Sequence, residues 1–242
     1  RSTQSRSSAA SDVYKRQDQL KLKILGGGDM TEYQSWYQDK QIERTLNALK
    51  KNNFDARFIK KGSDALEEIF KIIPNGATVG VGGSLTLNQI GFFDEARTKP
   101  IVLMNSAVPG ITQEEALKMR REMLLADYYL CSSNAITEDG HIYNIDSNGN
   151  RVGAMMFGPK HVLLVCGVNK IVKDIEAAKK RVQEWAAPMN ARRLGLKTPC
   201  AETGVCVNCS SQQRICNIYV ILSKKPRNTD ITVFIVGEQL GF

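Results

Sequence analysis

Apolar positions along the chain switch repeatedly between a spacing of three to four and a spacing of two. Over 31–52, Trp36, Ile42, Leu46 and Leu49 recur at roughly helical intervals, which predicts a helix. FDARFIK (54–60) alternates as a strand does, and Ser63 stands as an N-cap ahead of DALEEIFKII. PNG (74–76) marks a turn, ATVGV (77–81) a strand, and GGSLTLNQIGFF a glycine turn running into a short helix. IVLMN (101–105) reads as a buried strand. Thr112 and Glu115 form a capping box before ALKMRREMLLA, and DYYLC (127–131) is the next strand. Asp139-Gly140 is a hairpin signal within AITEDGHIYNID. SNGNR (147–151) is a second turn, and VGAMMF after it reads as another strand. HVLLVCG (161–167) is apolar enough for the middle of a sheet. The amphipathic stretch 172–187 predicts a helix that Pro188 stops, and NIYVILS and ITVFIVG supply two last strands.

Strands alternating with helices predict an α/β fold with a largely parallel sheet and flanking helices. The two turns add some antiparallel strands. No repeat and no long linker divides the chain, so 30–242 reads as one domain, with the cysteine-rich segment 198–217 as an irregular insertion. Residues 1–29 read as a non-native leader. RSTQSRSSAASDVYKRQ has no apolar period, and the glycine run before Met30 is what a purine-rich ribosome-binding site would encode. The competing reading of LKLKILGGGDM is a short strand with a phosphate-cradling glycine loop.

Composition narrows the function classes. The chain is 42% hydrophobic and 24% charged, an ordinary globular balance. No apolar run reaches the roughly 18 residues of a membrane span and no signal peptide stands at the start, which points to the cytoplasm. Residues 1–29 hold six Lys/Arg and three Asp, so the net charge of +8 falls to +5 over the remainder. Its bases are interspersed with acids and form no nucleic-acid motif. The modest excess suits an anionic small molecule.

Four stretches carry candidate chemistry. In VGVGGSLTLNQIG, Gly82 and Gly83 let a ligand approach the backbone, while Ser84 and Thr86 add hydroxyls; the competing reading is a tight turn capped by Ser84. In SSNAITEDGHIYNIDSNGNR, Asn134, Thr137 and Asn150 are candidate ligand contacts, and Glu138 and Asp139 candidate catalytic carboxylates. The alternative is an Asp-Gly hairpin with solvated acids. In FGPKHVLLVCGVNKIV, Lys160, Asn169 and Lys170 flank a buried strand, where a lysine can meet a phosphate or carboxylate or simply face solvent. His141 and His161 lack partners at ligand spacing, and Cys131 and Cys166 lie in apolar strands as small buried hydrophobes. Finally, Cys200, Cys206, Cys209 and Cys216 offer four thiols to an iron–sulfur cluster or, alternatively, a structural zinc. A redox dithiol and a metal-free loop are the other readings.

Taken together, GVGGSLTLNQIG, SSNAITEDGHIYNIDSNGNRVGAMMFGPKHV, GVNKIV, AAPMNARRL, TPCAETGVCVNCSSQQRICN and VGEQLGF resemble the LUD-domain, or lactate utilization, family, from about Met30 to the last residue. The resemblance implies a Rossmann-like fold similar to the NagB/RpiA/CoA-transferase superfamily. It implies a redox-linked role in oxidising L-lactate to pyruvate with iron–sulfur or flavoprotein partner subunits. It assigns no catalytic residue. Gln89 stands where the family pattern leads one to expect a glutamate, and the cysteine tail is not general to LUD domains. Two other functions fit the residues: an acyl-transfer or isomerase enzyme taking a phosphorylated or CoA-like ligand, and a zinc-stabilised binding module.

Overall fold

The computed structural model describes residues 30–242. The reading of 1–29 as a leader lies outside them. Residues 41–242 form one compact unit, and the stretch up to Lys40 belongs to another, helical from Met30 on.

Helix α1 (Met30–Lys51) leads to β1 (Asp55–Ile59), α2 (Gly62–Ile72) and β2 (Thr78–Val81). The short helices α3 (Leu85–Gln89) and α4 (Phe92–Ala96) precede β3 (Val102–Met104), α5 (Gln113–Glu122) and β4 (Tyr128–Cys131). β5 (Ala135–Thr137), β6 (Ile142–Asp146), α6 (Asn150–Met156), β7 (His161–Gly167) and β8 (Ile171–Val172) follow. The chain ends with α7 (Ile175–Arg181), a π-helical turn (Val182–Ala186), α8 (Ala187–Arg193), α9 (Pro199–Thr203), β9 (Ile218–Leu222) and β10 (Asp230–Val236).

Six strands make a fully parallel sheet in the order β1-β10-β7-β4-β2-β3. Side chains alternate across a strand. In β7, Val162, Leu164 and Cys166 therefore feed the core on one face, and Leu163 and Val165 the core on the other. β10 repeats this with Ile231, Val233 and Ile235 against Phe234 and Val236. A parallel sheet covered on both faces needs continuous apolar runs, which is why HVLLVCG and ITVFIVG lack polar alternation. Each buried Leu, Ile or Val side chain contributes about 1.5–3 kcal/mol.

A second sheet, β8-β5-β6-β9, contains the antiparallel pairs β5–β6 and β6–β9. Its hairpin turns at Gly140, with φ +84°, and a Cβ there would stand 2.6 Å from the Ala48 backbone carbon. Only glycine satisfies both conditions.

The capping box at Thr112 and Glu115 forms as expected. Five details differ from the sequence reading. IVLMN, expected as a buried strand, supplies β3 at the edge of the sheet, paired on one side only and with Val102 exposed. VGAMMF is helical, because the Asp146 carboxylate accepts from the N–H groups of Arg151 and Val152 and starts a turn there. Val152 and Met155 are buried three positions apart, a helical spacing. Pro188 does not end its helix. It lies in the first turn of α8, where its missing N–H costs little, and the π turn before it absorbs the change. Ser63 lies inside α2 and bonds Asp64, so Lys61 is the N-cap. Trp36 is exposed. Among the described residues no helix is long and apolar enough to cross a membrane.

Candidate functional site

In open parallel sheets ligands sit outside the carboxyl ends of the strands. Here three neighbouring strands, β2, β4 and β7, are followed by Gly82–Thr86, Ser132–Asn134 and Gly167–Lys170. Residues of all three segments line one cleft of about 210 Å³, closed on its far side by Val182, Ala186, Asn190 and Arg193.

Lys170 occupies the inner end of this cleft. It ends the tight turn after β7 and is 4% exposed. Its Nζ donates to Ser132 Oγ at 2.7 Å and to Thr86 Oγ1 at 3.2 Å. Among the described residues no carboxylate pairs with it, and burial pulls its pKa down to about 8. The Cys166 and Cys131 thiols act the other way, while Arg181 and Arg151 add to the fall. The chain's last residues help to bury it. Gly241 N donates to Gln89 Oε1 at 2.6 Å, and Leu240 N to Asn169 Oδ1 at 3.0 Å. A Cβ on Gly241 would come within 2.5 Å of Thr86 Oγ1 and 3.1 Å of Lys170 Nζ. Gln89, where a glutamate was expected, thus pins this segment over the lysine.

Arg151 braces the loop after β4. It reaches Asp146 Oδ1 at 2.6 Å, Asn134 Oδ1 at 2.9 Å and the Ser132 carbonyl at 2.8 Å. Arg181 donates to the carbonyls of Asn134 and Asn169, tying the β4 loop to the β7 loop. Asp146 is the one side-chain carboxylate among the cleft-lining residues, and Arg151 consumes it. Arg193, on the rim, bonds Asn190 Oδ1. The cleft is therefore net positive and suited to an anion.

Of the residues singled out from the sequence, Gly82, Gly83, Ser84, Thr86, Asn134 and Lys170 line this cleft together. Ser84 also caps α3, accepting from Leu87 N at 3.2 Å. Thr137, Glu138, Asp139 and Asn150 are not among its lining residues. Glu138 accepts from Gln41 at 2.9 Å and from Arg44 at 2.8 Å, while Asp139 bonds Thr137 within the hairpin. Lys160 is exposed, and His161 stacks on Tyr128. Cys131 and Cys166 are buried as expected. Sequence reasoning passed over Ser132, Asp146, Arg151 and Arg193. Ser132 was findable, since it follows a buried strand just as Gly82 does.

The four clustered cysteines are free thiols, and all of them line one small hollow of about 20 Å³. Arg214 donates to the carbonyls of Cys209 and Cys216 and closes the loop. Burial pushes the Cys216 thiol up to about 11, and the neighbouring cysteines add to the effect. The donor set is that of a four-thiolate zinc or iron–sulfur site. The sulfurs face one space without being drawn in to ligand spacing: among the described residues no group of three His, Cys, Asp or Glu is close enough to hold an ion. Ala187, Ile215 and Cys216 line both this hollow and the cleft.

A family model described as the LUD domain matches residues 42–236. A DUF162 family protein from Deinococcus radiodurans, known from a crystal structure, aligns over 83% of this chain and 98% of its own at 13% identity, with a TM-score of 0.48. No curated protein matches the chain.

Proposed function

Since this chain belongs to the LUD-domain family, we propose that its cleft binds a small carboxylate of the lactate–pyruvate class. The protein then acts in the cytoplasm as a redox-linked component of L-lactate oxidation, together with iron–sulfur or flavoprotein partner subunits. One observation carries the reading: a lysine 4% exposed, held by two hydroxyls and opposed by no carboxylate among the described residues. Burying an unpaired ammonium is costly. A ligand carboxylate restores the missing charge partner, and Arg193 on the rim offers a second cation. Ser84 and Ser132 supply hydroxyls to orient the oxygen on the second carbon. Cys200, Cys206, Cys209 and Cys216 are the residues that would hold a cluster, and a bound cluster would supply one-electron chemistry beside the cleft.

Calorimetric titration of the full chain with pyruvate, L-lactate and the neutral lactamide tests the reading. Pyruvate and L-lactate should bind and lactamide should not, with affinity falling at least tenfold in Lys170→Met, the weight of one charged hydrogen bond. Equal binding of lactamide, or affinity indifferent to Lys170→Met, would remove the lysine from the ligand site.

A further inference from the structure

Ser132 and Lys170 are more than a lining for an anion. We propose that Ser132 is a nucleophile with Lys170 as its general base, and that the cleft transfers the acyl group of a small anionic ester, thioester or acyl phosphate. The inference rests on the same cleft and lysine as the carboxylate reading.

Three observations carry it. The hydroxyl and the amine stand 2.7 Å apart, within reach for direct proton transfer. The nucleophile's backbone is held on both sides: Arg151 Nη1 binds the Ser132 carbonyl at 2.8 Å, and Ser133 N donates to Cys166 Sγ at 3.4 Å. Ser133 Oγ further donates to the carbonyls of Ala135 and Tyr143. Thr86 Oγ1 lies 3.2 Å from Nζ and 3.4 Å from Ser132 Oγ, completing a triangle of hydroxyl, hydroxyl and amine. Such an arrangement is poor for a structural lysine, which pairs with a carboxylate or reaches solvent. It suits a base, because a carboxylate would hold the amine protonated. Among the groups facing Nζ, Arg151 and Arg181 disfavour the ammonium, and the thiols of Cys131 and Cys166 favour it. Burial outweighs all four and brings the amine to about 8, so a useful neutral fraction exists near neutral pH.

The step balances within the chain and its substrate. Neutral Nζ takes the hydroxyl proton as Oγ bonds to the acyl carbon. The bond from that carbon to the leaving oxygen or sulfur breaks, and the ammonium returns the proton to the leaving group. Water, or an acceptor alcohol or thiol, then attacks the acyl-serine by the reverse sequence. No oxidant or reductant is needed. Glu138 and Asp139, the carboxylates first considered for acyl transfer, take no part.

The test uses a fluorophosphonate probe, which phosphonylates activated serines, on the full chain, with the labelled peptide identified by mass spectrometry. Labelling should fall on Ser132, increase with pH through a midpoint near 8, and drop at least 100-fold in both Lys170→Met and Lys170→Arg. Ser132→Ala should abolish it while retaining the circular dichroism spectrum. Lys170→Arg keeps the charge but removes the base, so it separates catalysis from anion holding. Labelling elsewhere, or labelling of Ser132 indifferent to both lysine variants, would overturn the proposal. So would borohydride trapping of pyruvate on Lys170, which would make the lysine itself the nucleophile. Absent labelling with intact pyruvate binding sinks the dyad alone. Labelled Ser132 without pyruvate binding sinks only the carboxylate reading.

Discussion

A lysine buried for function should weaken the fold, and the size of that effect follows from its environment. Lys170 falls from an ordinary 10.5 to about 8 on folding. At about 1.4 kcal/mol per pH unit, the gap is worth about 3 kcal/mol against the folded state. The unfolded chain binds the proton more tightly, so stability rises with pH between about 8 and 10.5. Below about 8 both states are protonated and the penalty is complete. Replacing Lys170 by Met removes it; Ser132 and Thr86 lose the charged donor but keep their bonds to the Ser133 carbonyl and to each other, so the cost is about 1 kcal/mol. Lys170→Met should therefore be more stable than the parent by about 2 kcal/mol at pH 7, a Tm shift on the order of 5 °C. Near pH 10.5 the penalty is gone and only the lost hydrogen bonds remain, so the order reverses and the two stability curves cross in between. Urea unfolding at several pH values measures this directly. A variant less stable at pH 7, or a difference constant from pH 7 to 10.5, would show that the lysine is compensated where it sits, and the argument for a ligand would lose its basis.

Asp146 is 8% exposed and accepts from the Arg151 guanidinium and from two backbone N–H groups. Asp146→Ala should cost about 3–5 kcal/mol in urea unfolding, because it leaves a guanidinium uncompensated near the core; Asp146→Asn, which keeps acceptors, should cost less. At the cysteine hollow, anaerobic purification followed by iron, sulfide and zinc analysis should find a metal that the Cys206→Ser/Cys209→Ser double variant lacks. Iron with sulfide marks a cluster, zinc alone a structural site, and neither removes the metal assignment.

The fold was legible because burial dictates pattern. β7 and β10 are covered on both faces, so their apolar runs were unmistakable. Val152–Met156 misled for a tertiary reason: its helix is started by the Asp146 side chain, a contact that local apolar pattern does not encode. The second sheet was only half visible. Its Asp-Gly hairpin showed, but β9 reaches its partner β6 across more than 70 residues. The same distance hid much of the site. Gly82 to Thr86 announced themselves by composition and Lys170 by the buried strand it follows, whereas Asp146 and Arg151 join the site only through the contacts that bring them to Ser132 and Asn134.

The cysteine segment gains meaning from the same juxtaposition. In the sequence it is a polar insertion with its own chemistry. In the fold, the π turn and α8 line both that insertion's hollow and the cleft, and Cys216 faces both spaces. A π turn widens a helix by one residue per turn, and Pro188 leaves the carbonyl four residues earlier without its usual donor. The wall is thus built from the least regular part of this helical stretch, where a change in the thiols' bonding can be transmitted. Oxidation or metal loading at the hollow would alter the packing of Cys216 against Ile215 and Ala187, both of which also line the anion site. A ligand in the cleft and the state of the four thiols should then be coupled through one shared wall, each changing the affinity for the other by the same factor; pyruvate titrations of the metal-loaded and metal-stripped protein that give equal affinities would show the wall to be rigid.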